Sequence, residues 1–205
     1  MSDLATRRKW DGTASFYDLL TYGAEKRWAP VKRELFSRMV PDAAILFAAL
    51  GTGGDIAFFP PGRNITAIDL SPRMIQRAKP KAETYPGRLQ PLVMDLHALA
   101  FPDGVFDQVF TSCTFCSVPD PVAGLIALRR VMKPGAGLFM FEHTGSHHFP
   151  FGPLLDAVTP LMRPLGPDMN RETVENVRRA GFHLRTVRNH FLDVVKSIEA
   201  VAPWT

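Results

Sequence analysis

The sequence predicts an α/β chain: a mostly parallel sheet with helices on both faces, preceded by an N-terminal helical cap. Three observations predict it. From Ala44 onward, apolar runs of strand length alternate with capped segments of helix length. The first run, Ala44–Leu50, opens directly into Gly51-Thr52-Gly53. The second, Ile65–Asp69, ends on an isolated carboxylate. Strand, glycine turn, short helix, strand and acid together make a nucleotide-binding βαβ unit. In such a unit glycine lets the backbone approach a ligand. The acid stands where it accepts hydrogen bonds from the two hydroxyls of a ribose.

The elements follow in order. Residues 13–39 read as one or two helices, with Thr21–Gly23 the candidate break between them and Pro30 near the middle. A short helix lies near Gly54–Phe59, before the Pro60-Pro61-Gly62 turn. Ser71 caps a helix that has Pro72 at its first position and runs to about Ala78, with Lys79-Pro80 ending or kinking it. Arg88–Met94 is the third strand, stopping at Asp95, and Phe106–Ser112 the fourth. Pro119-Asp120-Pro121 starts a helix through Arg130, and Lys133-Pro134-Gly135 turns the chain into Gly137–Glu142, the fifth strand. A proline-rich apolar insert fills 149–166, suited to an acyl pocket, a membrane contact or a buried lid. Arg171–Ala180 is a helix stopped by Gly181, and Phe182–Val187 with Phe191–Glu199 forms a closing hairpin. One domain over 1–205 is expected: a cap over 1–40, a core over 41–145, and the insert, helix and hairpin over 146–205.

Charge and composition narrow the function. Residues 1–40 carry eight cations against five acids, +3 of the chain's +4. Cations beside Trp10 and Trp28 suit an anionic lipid surface as well as an ordinary solvated helix face. Neither an aromatic-basic RNA motif nor a long basic stripe is present, so no nucleic-acid partner is expected. Cys113 and Cys116 stand three apart without a second Cys/His pair at zinc spacing, which leaves neither a disulfide framework nor a metal site. The polar, charged start does not read as a signal peptide, and no apolar run approaches the roughly 20 residues of a membrane span. A monomer in the cytoplasm, peripheral on the inner face of the cytoplasmic membrane, is the expectation.

Several blocks resemble class I S-adenosylmethionine-dependent methyltransferases. They are Ile68-Asp69-Leu70-Ser71-Pro72-Arg73-Met74-Ile75; Met94-Asp95-Leu96 with Phe101-Pro102-Asp103 and Phe106-Asp107; and Leu128–Gly137. The resemblance spans about 44–142 and implies a Rossmann-like fold of seven strands, with S-adenosyl-L-methionine as cofactor and S-adenosyl-L-homocysteine as its product. Carried over residue by residue, it puts Gly51, Thr52 and Gly53 under the methionine part, Asp69 and Leu70 at the ribose, Asp95 and Leu96 beside the adenine, and Met74 on its face. Ser112 and Cys113, ending the fourth strand, fall beside the methyl donor. The sequence departs from the family's first motif, with Phe47 where an acid is usual and Ala49 where a glycine is usual. The methionine end must therefore be held differently, and Tyr17 and Tyr22 are candidates.

Trp10–Asp18 resembles the N-terminal element of ubiquinone/menaquinone-type methyltransferases. Ile56–Gly62, Thr114–Val118 and Phe141-Glu142-His143 are similar to a lipid-associated branch that also holds thiol methyltransferases. Taken together, the chain looks most like the small bacterial phosphatidylethanolamine N-methyltransferases of the Rhodobacter type. That resemblance implies methyl transfer to a phospholipid amine, with a quinone precursor or small thiol as the alternative acceptor and a non-catalytic cofactor- or lipid-binding protein as the rival class. An ammonium must lose a proton before it attacks, so Tyr17, Tyr22 and His143 are the catalytic candidates. Tyr22, Phe115, Glu142 and His143 are the substrate-binding candidates.

Overall fold

The computed structural model describes residues 2–162 and 168–204. Seven strands form one sheet in the order β3-β2-β1-β4-β5-β7-β6. They are β1 (Ala44–Ala48), β2 (Asn64–Asp69), β3 (Arg88–Val93), β4 (Phe106–Ser112), β5 (Met132–His143), β6 (His183–Phe191) and β7 (Val195–Val201). The first five are parallel, while β7 runs antiparallel to both β5 and β6. Between them lie α2 (Pro72–Glu83), α3 (Pro121–Val131), α4 (Phe151–Met162) and α5 (Thr173–Arg179), with a 3₁₀ turn at Gly54–Phe58. Sequence order reverses between β1 and β4, so the cleft outside the carboxyl ends of those two strands is where this class of sheet takes a ligand.

Alternate strand residues feed two cores, one on each face. Leu46, Ile68, Val109, Leu138 and Met140 pack with Leu125 and Leu128 of α3 and Val177 of α5. Ile45, Phe47, Ala67 and Phe110 pack with Ile75 and Ala78 of α2 and with Phe36. Phe47, at the position where the family carries an acid, is fully buried in an aromatic knot, 5.7 Å from Phe36 and 4.9 Å from Phe59 between ring centroids. Where the family carries a charge, this position packs an aromatic ring into the core.

The N-terminal cap differs from expectation. It is one unbroken helix, α1, over Ser2–Phe36, with Pro30 inside it. Thr21–Gly23 does not break it, because polar bonds to the body of the protein fix the helix on both sides of that point. Asp11 accepts from the hydroxyl of Ser71, Asp18 from that of Thr52, and Lys32 donates to Asp55 at 2.7 Å. Likewise α2 continues through Pro80 to Glu83, buried along Met74, Ile75, Ala78 and Ala82. Ser71 caps it, accepting from the Met74 N–H at 3.1 Å. β5 begins five residues earlier than Gly137, and a register shift opposite Phe106–Gln108 absorbs the turn at Lys133-Pro134-Gly135. The apolar insert is helical over α4; its residues 163–166 lie outside the described residues.

Candidate functional site

Two adjoining chambers occupy the cleft, and Tyr17, Ala49, Gly51, Ser112 and Cys113 line both. The larger, about 760 Å³ measured to its open mouth, lies over the ends of β2, β1 and β4. Asp69, Leu70, Met74, Asp95 and Leu96 line it, as do Thr6, Trp10, Met94, His97 and Val118. The smaller, about 520 Å³, lies between α1 and the glycine loop. Thr52, Glu25, Lys32, Asp55, Trp28 and Phe141 are among its walls. Gly53 lines neither: its φ of +78° and contact with α2, where a Cβ would come within 3.2 Å of the Ala78 Cβ, make it a packing glycine.

Asp69 is 9% exposed. One carboxylate oxygen accepts from the Gly51 N–H at 2.8 Å and the other from the Ser71 N–H at 2.8 Å. Burial raises its pKa, while those two donors and the remaining lone pairs keep it an acceptor aimed along the loop. Ala49 has φ +60° and Cys113 φ +50°, left-handed conformations at non-glycine residues on the cleft floor. Ser112 Oγ is buried with no hydrogen-bond partner among the described residues. A nucleoside fits these features. The carboxylate ends a strand, Met74, Met94 and Leu96 supply an apolar slot for a base, and Ser112, whose buried hydroxyl has no partner among the described residues, lines both chambers.

Tyr17 stands between the chambers, edge-on to Trp10 at 6.1 Å. Burial, first, and the acids around it push its phenol far above its ordinary range, so it is a neutral donor and not a base. Solvent reaches Cys113 through the cleft, yet protein surrounds it, and that enclosure raises its thiol well above normal; Cys116 is pushed up to about 12. Lys32 is buried against Asp55, with side chains 7% and 12% exposed; burial pulls the ammonium pKa down and Asp55 outweighs it. Glu25 lies over Gly54, where a Cβ would collide with its carboxylate, and burial raises its pKa.

The structure does not bring the other expected residues into either chamber. Tyr22 is 66% exposed on the outer side of α1. Phe115 is fully buried in the core that contains α3. Glu142 is likewise fully buried, and its carboxylate accepts from the Thr111 hydroxyl (2.8 Å), the Thr114 N–H (3.2 Å) and the Phe115 N–H (3.0 Å). It clamps the loop after β4 rather than facing a ligand. Burial moves its pKa up to about 7 against the pull of those donors. His143 pairs with Val195 in the sheet; burial and then Lys196 lower its pKa, and its Nδ1 has no partner among the described residues.

Trp10 and Asp11 lay inside a block whose resemblance pointed to the cap. Glu25, Lys32 and Asp55 had no sequence signal, because they meet only when α1 lies across the glycine loop. Among the described residues no cluster of His, Cys, Asp or Glu is set to hold a metal, and no helix is long and apolar enough to cross a membrane.

A strand-end acid, a glycine loop and an apolar base slot at the switch point of a seven-stranded sheet define a nucleoside-cofactor enzyme of the Rossmann-like kind. Residues 46–140 match the family model described as Methyltransferase domain. Human thiol S-methyltransferase TMT1B is 30% identical over 178 residues, covering 80% of this chain and 72% of that protein. The demethylmenaquinone methyltransferase of Thermus thermophilus is 36% identical over 128 residues, covering 60% of this chain and 57% of that one. A chain from the complex of the Haloferax volcanii Trm112 methyltransferase activator with a methyltransferase superposes with TM-score 0.72 at 21% identity, covering 95% of this chain and 97% of that one. The SAM-dependent methyltransferase of Methanosarcina mazei superposes with TM-score 0.67 at 20% identity, covering 82% and 96%. This chain belongs to the class I S-adenosylmethionine-dependent methyltransferases. Its cofactor is S-adenosyl-L-methionine.

Proposed function

We propose that this protein transfers the methyl group of S-adenosylmethionine to the sulfur of a small thiol. Carrying this reading is the 30% identity to a thiol S-methyltransferase over 80% of the chain, and the chemistry of the cleft agrees with it. An ammonium acceptor, which the sequence favoured, needs a base beside its nitrogen. Tyr17 stays protonated, Glu142 is committed to the β4 loop, and His143 lines neither chamber. A thiol has an ordinary pKa near 8.5 and ionises in water, so it needs no dedicated base.

The larger chamber takes the nucleoside, with Asp69 at the ribose. In place of the acid missing at Phe47, Lys32 of the smaller chamber would hold the cofactor's carboxylate, and Glu25 with Asp55 its amino group. The bound cofactor supplies an electrophilic methyl on a sulfonium. The thiolate's lone pair forms the new S–C bond as the sulfonium C–S bond breaks, and that electron pair stays on the departing thioether. A negative and a positive charge cancel, so walls such as Trp28 and Phe141, which exclude water, favour the reaction. Tyr17, between the two chambers, keeps its proton and donates a hydrogen bond that helps to hold the partners in line.

A quinone precursor is the second reading, favoured by the 36% identity to a demethylmenaquinone methyltransferase. Labelled cofactor offered with a small alkyl thiol, a demethylated quinol or phosphatidylethanolamine vesicles distinguishes the readings. The labelled methyl thioether is the expected product, with a rate rising about tenfold per pH unit below the thiol's pKa. Label in the quinol or the lipid, with none in the thiol, overturns the proposal.

A further inference from the structure

α1 carries its charges in an ordered way. Asp11, Asp18 and Glu25 recur at seven-residue spacing and so stay on one side of the helix. That side faces the body of the protein, at Ser71, Thr52 and Gly54. Phe16, Leu19 and Tyr22, three apart, form an exposed ridge that crosses the outer surface of the helix obliquely, from well away from the acids at Phe16 to beside them at Tyr22, 64%, 79% and 66% exposed. Arg8 and Lys26 are eighteen residues apart, five full turns, so they fall on one line with the ridge between them. Both are exposed, and neither is paired with an acid among the described residues. Folding thus turns the acids inward and leaves an aromatic and aliphatic crest with a cation at each end. A crest of this kind is costly to leave in water without a partner.

We propose that this outer side of α1 docks on an anionic lipid surface, independently of which acceptor the cleft takes. The fit is one of charge and polarity. Phe16, Leu19 and Tyr22 enter the boundary between head groups and acyl chains, while Arg8 and Lys26 meet lipid phosphates at either end. Leu154 and Leu161 of the apolar insert are also turned outward, 56% and 75% exposed. Tyr22, chosen from the sequence for the chemical step, here serves attachment.

The test is sedimentation of the full chain with phosphatidylcholine vesicles, with and without phosphatidylglycerol. Binding is expected only with the anionic lipid and falls as salt rises. Each cation near such a surface is worth about fivefold in affinity, so R8Q/K26Q weakens binding at least tenfold. F16S/L19S loses it while its helicity by circular dichroism and its cofactor affinity by calorimetry stay at the parent values. Equal binding to both vesicle types overturns the proposal, as does unaltered binding by F16S/L19S. A dimer in ultracentrifugation that F16S/L19S abolishes, without vesicle binding by the parent, overturns it in favour of a second copy on this face.

Discussion

At the scale of single residues, the cleft floor holds a buried acid and two residues in left-handed conformation, Ala49 and Cys113. Asp69 joins the glycine loop to the start of α2 through Gly51 and Ser71, and it is the residue proposed to accept from the ribose hydroxyls. Hydrogen bonds to a charged group contribute about 1.5–3 kcal/mol each, so Asp69→Ala lowers cofactor affinity at least tenfold in titration calorimetry. An unchanged dissociation constant in the folded variant would move the nucleoside elsewhere. Ala49 adopts a left-handed conformation at the position where the resemblance to the family puts a glycine. That conformation costs a side-chain-bearing residue about 1–2 kcal/mol, partly offset by the extra chain entropy that glycine loses. Ala49→Gly therefore stabilises by about 0.5–1 kcal/mol, read as a rise of about 2 °C in the calorimetric midpoint. The sequence made Asp69 and the loop legible because a strand end followed by an acid is a local pattern. It could not show that Glu142 is turned into the loop after β4, since its three donors arrive from Thr111, Thr114 and Phe115, some thirty residues away.

At the scale of elements, the sheet was readable and α1 was not. Each inner strand is an apolar run bounded by turn residues, and such runs announce themselves. The inner side of α1 is held by Asp11, Asp18 and Lys32, so its period is carried by polar groups that apolar counting ignores. Apolar counting starts the helix only at about residue 13, whereas it begins at Ser2 and continues through Pro30 to Phe36. The ion pair between Lys32 and Asp55, both nearly buried, ties this helix to the 3₁₀ turn behind the glycine loop. Removing one member of a buried pair strands the other, at a cost of about 3–5 kcal/mol. Asp55→Ala should show that loss in urea unfolding, and adding Lys32→Met should restore most of it. If the double variant is no better than the single one, the charge pair is not what fastens the helix.

At the scale of the whole molecule, Glu142 ties stability to pH. Its pKa is about 7 in the folded protein against an ordinary 4.5. Between those values the folded state holds a proton that the unfolded state has released, so this residue's contribution declines as pH rises through that window and levels off above it. Thermal midpoints of the protein and of Glu142→Gln, compared at pH 5 and pH 8, should show the parent's advantage shrinking at the higher pH. An equal gap at both would mean that the carboxylate titrates normally. α1 has a different global consequence. One side is registered against the cofactor loop and the other is turned to the surroundings, and about 100° separates successive residues. Substitutions along the outer side leave the loop untouched. A one-residue insertion or deletion between Asp11 and Lys32 swings one half of the helix about 100° against the other, bringing acids out to the surface and apolar side chains in against Ser71 and Thr52. Selection on this segment therefore acts on its length before its letters, and drift among descendants of this chain should alter the outer residues freely while holding the distance from Asp11 to Lys32 fixed.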